Sequence, residues 1–239
     1  MMLFNLSKTH LVTTICSLAL LLPQITNAAL PKAFQANYAV SKGSMTLGNL
    51  HTSLKYSGNT YSYHKYTKAT GLAALLTGIK ITENTDGQFA GQNIIPKSYF
   101  FNQARHGKKK IDKTTFTKTN AIGSYKDKPY NLKITPNTQD RASLELSLAR
   151  DLSLNKARLS YPVVSKGDKI QYTFQKLGSE VLKTSAGQFH TVKVKVVRSG
   201  KKRETIFWLA KELDYMPVKI DHREKDDVIT SVIKNYKRL

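Results

Sequence analysis

The chain has 239 residues, and its 38 Lys and Arg residues against 16 Asp and Glu residues give a formal net charge of +22. A surplus of this size attracts anions and predicts an anionic partner. Nucleic acid is the usual partner of so basic a chain, but the sequence contains no helix-turn-helix, zinc-finger or RNP motif, which argues against that class.

Residues 1–28 have the features of a secretory signal peptide. Lys8 gives a positive start, residues 11–22 are mostly apolar, and small residues suit cleavage between Ala28 and Ala29. The apolar run has twelve residues, whereas a membrane-spanning helix needs about 20. We therefore expect a protein that is exported to a bacterial periplasm and is attached to a membrane peripherally at most.

Cys16, the only cysteine of the chain, lies within this segment. Removal of 28 of the 239 residues would leave 211 residues without a thiol. Disulfides, a cysteine nucleophile and thiolate metal ligands would then be excluded. We expect residues 29–239 to form a single β-rich domain with an ordinary hydrophobic core.

Alternation of apolar and polar residues dominates the rest of the chain and predicts strands. It is clearest at 191–196, where lysine alternates with valine as in a strand with one wet and one dry face. Turn signals separate such runs at 57–59, 86–87, 107, 167–168, 186–187, 199–200 and 225–227. Strands of about ten residues at this spacing indicate a large antiparallel sheet.

Two segments depart from the strand pattern. Residues 71–76 are rich in Ala and Leu and favour one or two helical turns. Residues 140–152 predict a longer helix, for which Asp140 is the expected N-cap. The apolar face of this helix would carry three leucines at i, i+4 and i+8: Leu144, Leu148 and Leu152.

The positive charge is unevenly distributed. Glu83 is the first acidic residue of the chain, and residues 97–133 carry ten basic residues against Asp112 and Asp127. Two explanations remain open: attraction of anionic lipid or lipopolysaccharide, or a lysine-rich surface that keeps the protein soluble and protects its edge strands. The Gly-Lys-Lys-Lys stretch at 107–110 is more typical of a basic hairpin turn than of a dedicated binding loop.

The sequence offers no motif for catalysis or metal binding. Its histidines after residue 29 are not at metal-ligand spacing, and neither a nucleophile elbow nor a phosphate-binding glycine loop is present. We therefore expect no enzymatic activity, no cofactor and no metal. Four charged residues are candidates for buried ion pairs, because an unpaired buried charge costs several kcal/mol: Glu83, Asp140, Arg141 and Glu180.

Five aromatic residues are candidates for ligand binding. If their rings face inward, they could line a pocket with apolar walls and hydroxyl groups; if outward, the tyrosines only satisfy strand propensity. Trp208 has the further alternative of anchoring the core. The candidates are Tyr61, Tyr63, Tyr99, Phe101 and Trp208.

Several short motifs carry a resemblance to a known family. They are the paired tyrosines at 61–63, the insert at 71–76, Pro-x-x-Tyr at 96–99, Asp-Arg-x-Ser at 140–143 and the C-terminal stretches 178–189 and 208–218. In this order behind a signal peptide, they resemble the exported bacterial family DUF-3108, a domain of unknown function, over essentially the whole mature chain. The resemblance implies a curved antiparallel sheet partly wrapped around a helix, similar to the open half-barrels of periplasmic lipoprotein and lipid carriers.

These observations lead to three functional expectations. The first is a non-enzymatic binder of a lipid-like or amphipathic ligand, held on a concave sheet face and serving envelope maintenance. The second is a structural or assembly partner that docks envelope proteins or anionic envelope polymers. The third is a cell-wall hydrolase, which would need Glu83, Asp140, Glu180 or a histidine together in one cleft. The oligomeric state is left open by the sequence.

Overall fold

The computed structural model describes residues 30–197 and 203–239. The predicted signal peptide, with its cleavage site at Ala28 and Ala29, and the turn at 199–200 lie outside the described residues. The described part contains fourteen strands, two α-helices and a 3-10 helix at Lys211–Leu213. The strands are β1 (Phe34–Lys42), β2 (Met45–Ser57), β3 (Thr60–Ala69), β4 (Lys80–Ala90), β5 (Asn93–Arg105), β6 (Lys108–Phe116), β7 (Asn120–Tyr125), β8 (Lys128–Lys133), β9 (Leu159–Ser165), β10 (Asp168–Thr184), β11 (Gly187–Val197), β12 (Arg203–Ala210), β13 (Met216–Glu224) and β14 (Asp227–Arg238). The helices are α1 (Gly71–Thr77) and α2 (Ser143–Ser153).

All fourteen strands form one antiparallel sheet in the order β8-β7-β6-β5-β4-β3-β2-β1-β14-β13-β12-β11-β10-β9. The predicted mainly-β fold, with a large open sheet and two helical segments, is confirmed. Hairpins join most neighbours, and the pairing of β1 with β14 joins the N-terminal and C-terminal halves. The edge strands β8 and β9 follow one another in the chain, and the segment between them carries α2. In the described residues, no helix is both long and apolar enough to cross a bilayer.

The two ends of the sheet approach each other without closing a barrel. The turn after β9 contacts the other end, where the Lys166 amide donates to Asp112 Oδ2 of β6 at 2.7 Å. At Gly167 a Cβ atom would lie 3.2 Å from the ring of Tyr130 in β8. Gln139 contacts both sides, since its backbone pairs in parallel with Val163 of β9 and its side-chain amide donates to the Ile94 carbonyl of β5 at 3.0 Å. The curvature therefore brings both edges around the segment that leads into α2.

Helix α2 lies inside the curved sheet and is buried along most of its length. Its predicted leucine face is confirmed: Leu144, Leu148 and Leu152 pack in a cluster with residues of β9 to β12. Leu146 and Ala149 belong to a second cluster, which includes residues of β1 to β5. A helix with two opposed apolar faces is expected between two walls rather than on a surface.

The helix begins at Ser143, three residues later than the predicted start at Asp140. Asp140 nevertheless makes the predicted capping contacts, because its Oδ1 accepts the amides of Ala142 and Ser143, each at 2.8 Å. Its carbonyl accepts the amide of Leu144 at 3.0 Å. The capping residue thus stands just before the first full helical turn.

Most predicted turns in the described residues are hairpin turns, but the turn at 86–87 is wrong. Asp86 and Gly87 lie inside β4, where the register with β5 shifts between them. A Cβ atom at Gly87 would lie 2.3 Å from the Ile95 carbonyl oxygen and 2.6 Å from the Tyr61 hydroxyl. The glycine therefore marks a bulge at which neighbouring chains approach closely. Glycine is common both at such bulges and in turns, so the sequence does not distinguish the two.

The basic stretch at 107–110 is divided between a turn and a strand. His106 and Gly107 both have positive φ, 44° and 77°, as a two-residue hairpin turn requires. Lys108 and its two following lysines begin β6 and are exposed. The predicted basic hairpin is present, and its charges lie on a strand rather than on the turn itself.

Candidate functional site

A buried polar network lies where the N-terminal end of α2 meets β3 to β5. Lys65 of β3 lies directly opposite Glu83 of β4 in the ladder. The Lys65 Nζ is 3.6 Å from Glu83 Oε2, and the Arg141 Nε is 3.6 Å from Glu83 Oε1. Glu83 is thus held between two cations, and two of the four candidates for buried ion pairs, Glu83 and Arg141, lie next to each other.

Glu145 of α2 binds the same lysine from the other side. Lys65 Nζ donates to Glu145 Oε1, and the Tyr63 hydroxyl donates to Glu145 Oε2 at 2.9 Å. The Tyr99 hydroxyl donates to Glu83 Oε1 at 2.8 Å. Side chains from two neighbouring positions of the sheet therefore form the network under α2. Lys65 and Glu83 are paired across β3 and β4, and Tyr63 and Tyr99 lie on either side of Thr85 at the next position on the same face.

The electrostatics of this network keep its members in fixed protonation states. Burial alone would raise the pKa of Glu83, but its two cationic neighbours outweigh burial and hold the pKa below the usual value. Burial alone would lower the pKa of Lys65, yet its two carboxylate neighbours raise it. Burial and the nearby glutamates raise the pKa of Tyr63 and of Tyr99 well above 10.0. The two tyrosines therefore remain protonated and able to donate hydrogen bonds near neutral pH.

Asp140 lies beside this network but forms hydrogen bonds rather than the expected ion pair. Its Oδ2 accepts from the Thr85 hydroxyl at 2.7 Å, while its Oδ1 turns back to the first amides of α2. Burial raises the pKa of Asp140 to about 6, although these hydrogen bonds oppose the shift. The difference from expectation arises because the side chain is already used as a cap.

Glu180 is exposed, so the expectation of a buried ion pair at this position is wrong. It lies in the part of β10 that pairs with β11 but extends beyond β9. One side of this stretch of β10 is therefore a sheet edge without a neighbouring strand, and Glu180 is exposed to solvent. The Trp208 Nε1 donates to Glu180 Oε1, an interaction that the sequence did not indicate.

Trp208 is buried in the sheet and covered by lysines. The Nζ atoms of Lys193 and Lys219 lie 4.8 Å and 4.2 Å from the indole centroid, within the range of cation–π attraction. Lys193 belongs to the face of β11 that the lysine and valine alternation predicts to be exposed to solvent. Because Lys193 packs over the indole, this face is only half exposed. Trp208 occupies the position expected of a core anchor.

The five candidate aromatic residues are buried, and their predicted role in ligand binding stays a prediction. Two open surface pockets of about 320 Å³ and about 410 Å³ occur among the described residues. Tyr99 is part of the lining of the first, whereas the other four line neither. The buried five are Tyr61, Tyr63, Tyr99, Phe101 and Trp208.

Lys65 and Glu145 are the network members that the sequence analysis did not single out. A signal was available for Lys65, because it continues the alternation of Tyr61 and Tyr63 and so must share their inward face. A lysine on the inward face of a strand requires a carboxylate partner. Nothing in the local pattern identifies Glu145 as that partner, since the contact spans 80 residues of chain.

A second feature is a group of exposed basic residues on strands β5 to β8 and the turns between them, at one end of the sheet order. All ten Lys and Arg residues between 97 and 133 are exposed. We call them the basic region: Lys97, Arg105, Lys108, Lys109, Lys110, Lys113, Lys118, Lys126, Lys128 and Lys133.

The basic region has almost no compensating negative charge. None of its ten side chains forms an ion pair with another of the described residues. Of the two acids within 97–133, Asp112 is buried and accepts hydrogen bonds from the Lys166 amide and the Tyr130 hydroxyl. Asp127 alone is exposed.

The acidic candidates of the sequence analysis lie in two separate places. The carboxylates under α2 are held by cations or by capping hydrogen bonds, and Glu180 lies elsewhere, on the exposed part of β10. Within residues 30–197 and 203–239, no group of three His, Cys, Asp or Glu side chains is placed to hold a metal ion.

The chain belongs to the family described as "Protein of unknown function (DUF3108)", whose model matches residues 34–234. The match covers most of the chain and confirms the resemblance found in the sequence motifs. No match was found among curated proteins.

One of the similar solved structures supports the type of fold. A Brucella abortus protein, described as a beta-barrel-like protein of domain of unknown function DUF1849, superposes with a TM-score of 0.58 at 10% identity, over 88% of this chain and 99% of that chain. A Parabacteroides distasonis protein described as a "putative lipoprotein" has a TM-score of 0.34 at 10% identity, over 87% of this chain and 96% of that chain. The first supports a barrel-like curved sheet.

Proposed function

We propose that this chain is an exported, non-enzymatic protein that binds an anionic, lipid-like component of the cell envelope on its outer surface. The observation that carries the proposal is the basic region, in which ten exposed cations lack ion-pair partners among the described residues. Uncompensated cations on neighbouring strands raise the local concentration of anions. Export is supported by the features of residues 1–28.

The filled interior favours the outer surface over the concave face as the place of binding. Helix α2 occupies the inside of the sheet, where Leu146 and Leu148 are almost completely buried. A ligand on the concave face would have to displace these leucines and separate Lys65 from Glu145. The outer basic region binds without such a rearrangement.

Calorimetry with a short-chain lipid in monomeric form tests this proposal. We expect the purified protein to bind short-chain phosphatidylglycerol and not short-chain phosphatidylcholine, with an affinity that falls as sodium chloride is raised. A triple variant with Lys113, Lys118 and Lys133 changed to Gln should bind more weakly. Its matched control changes Lys169, Lys183 and Lys234, which are exposed elsewhere, to Gln. Equal binding of the two lipids would overturn the proposal.

A second function, the docking of an anionic envelope polymer, is favoured by the open shape of the basic region. A long anionic chain needs only charges spread over several strands, and β5 to β8 provide them. Dextran sulfate, which has no acyl chain, distinguishes the two functions in the same calorimeter. Binding of dextran sulfate without binding of phosphatidylglycerol would favour the polymer.

A further inference from the structure

Helix α1 exposes the most prominent apolar surface of the described chain. Leu72, Leu75 and Leu76 are 63%, 79% and 65% exposed. Their spacing of i, i+3 and i+4 places them on one face of the helix. Ala73 is the buried member of α1 and faces the protein. Adjacent exposed leucines of this kind mark a surface that is covered in use.

The helix is held firmly in this orientation. Gly78 closes it in the left-handed conformation at φ 55°, and its amide donates to the Ala74 carbonyl at 2.9 Å. The Thr77 hydroxyl donates to the Ala73 carbonyl at 2.7 Å. The Thr70 amide before the helix donates to the Leu47 carbonyl of β2 at 3.0 Å. The leucines are therefore presented by a fixed element and do not belong to a loose loop.

Basic residues lie on the strands and the hairpin next to the exposed leucines. His106 Nε2 lies 3.0 Å from the Leu76 carbonyl oxygen, which places the hairpin between β5 and β6 directly against α1. Exposed lysines also flank the helix in the chain: Lys68 is the last but one residue of β3, Lys80 begins β4, and the two are paired in the ladder. The basic residues at this end of the sheet are Lys68, Lys80, Arg105, Lys108, Lys109 and Lys110.

We propose that α1 is a membrane-docking element, whose three leucines enter the boundary between headgroups and acyl chains of an anionic bilayer while the surrounding cations bind the headgroups. This inference rests on the proposed function and names the place and the mode of binding. A bilayer fits both observations, because an apolar helix face gains from burial in the acyl region and basic residues gain from the negative surface potential. Since α1 has only seven residues, the insertion is shallow and peripheral.

Co-sedimentation with vesicles tests this inference. The purified protein should bind vesicles of phosphatidylglycerol and phosphatidylethanolamine in equal amounts, and not vesicles of phosphatidylcholine alone. Changing Leu72, Leu75 and Leu76 together to Gln should weaken binding to the anionic vesicles about tenfold or more. The matched control changes three comparably apolar exposed residues of β10, Ile170, Leu177 and Val181, to Gln and should bind as the wild type does.

The charges are tested separately. Changing Lys108, Lys109 and Lys110 to Gln should weaken vesicle binding by about fivefold for each lysine removed, and raised salt should reduce this difference. Thermal unfolding of each variant shows that the fold is kept. The matched charge control is again the triple change of Lys169, Lys183 and Lys234 to Gln.

The outcomes separate this inference from the proposed function. If the wild type binds anionic vesicles and the leucine triple variant binds equally well, the docking role of α1 is overturned while anionic lipid binding stands. If the wild type binds neither monomeric phosphatidylglycerol nor anionic vesicles, both are overturned. If the β10 control loses as much binding as the α1 variant, the loss reflects the removal of exposed apolar side chains at any position, and the inference also fails.

Discussion

At the residue scale, Lys65 is the charge on which the network under α2 depends. Its removal leaves Glu83 with Arg141 alone and takes away the salt-bridge partner of Glu145. Breaking a buried pair by removing one partner costs about 3–5 kcal/mol, because a buried charge is left uncompensated.

We therefore predict that Lys65→Met lowers the free energy of unfolding in urea by about 3 kcal/mol or more. The control Lys55→Met changes an exposed lysine and should have little effect. Adding Glu145→Gln to Lys65→Met should recover part of the loss, since the uncompensated carboxylate is removed. A Lys65→Met protein as stable as its control would show that the network does not hold α2.

Asp140 gives a prediction about pH. Its pKa is raised from 3.8 to about 6 in the folded protein, so the folded state binds more protons than the unfolded state between these values. Stability contributed by this group is therefore present at low pH and is lost as the pH rises through about 6. The shift between the two pKa values corresponds to a pH-dependent change in the free energy of unfolding on the order of 3 kcal/mol.

Asp140→Asn keeps an oxygen that can cap the helix and removes the titration. We predict that the wild type loses stability relative to this variant between about pH 4 and pH 6, as measured by urea unfolding at a series of pH values. Glu83 affects stability in the opposite direction. Because its pKa is lowered in the folded protein, the stability that it contributes is lost only as the pH falls. Unfolding curves of wild type and variant that stay parallel across this range would contradict the assignment to Asp140.

At the element scale, α2 is the core of the fold, and α1 is not. Leu148 of α2 is 2% exposed, while Leu75 of α1 is 79% exposed. Leu148→Ala should cost about 2–5 kcal/mol because it leaves a cavity between α2 and the sheet. Leu75→Ala should cost little in stability. A small effect of Leu148→Ala on urea unfolding would mean that α2 is not packed as described.

Some elements were predictable from local pattern, and others were not. The strand alternation and the leucine face of α2 follow from periodicity, the insert at α1 follows from its Ala and Leu content, and the structure confirms all three. The interpretation of Asp86 and Gly87 as a turn failed because glycine serves both turns and close approaches within a strand. The prediction that Glu180 is buried was wrong, because its exposure depends on how far β9 extends along β10. The local sequence around Glu180 does not indicate the length of β9.

The site was less predictable than the fold. Sequence motifs indicated Glu83, Asp140 and Arg141, but the partners Lys65 and Glu145 come from elements far apart in the chain. Those contacts depend on the position of α2 inside the sheet. The unpaired state of the basic region likewise depends on which carboxylates are buried or already paired, as Asp112 is.

At the scale of the whole molecule, the protein separates a filled interior from a charged exterior. The inside of the sheet is occupied by α2 and its ion pairs. The outside carries the basic region on β5 to β8, with the exposed leucines of α1 at one end. This division supports binding at an outer surface and makes the interior a structural support for it.

The central claim is therefore that this surface binds anionic membranes, and co-sedimentation of the purified wild-type protein with vesicles at increasing sodium chloride tests it most directly. We predict binding to vesicles of phosphatidylglycerol and phosphatidylethanolamine, no binding to phosphatidylcholine vesicles, and a progressive loss of the anionic binding as salt screens the exposed charges. Equal binding to both kinds of vesicle, or no binding to either at low salt, would contradict the account.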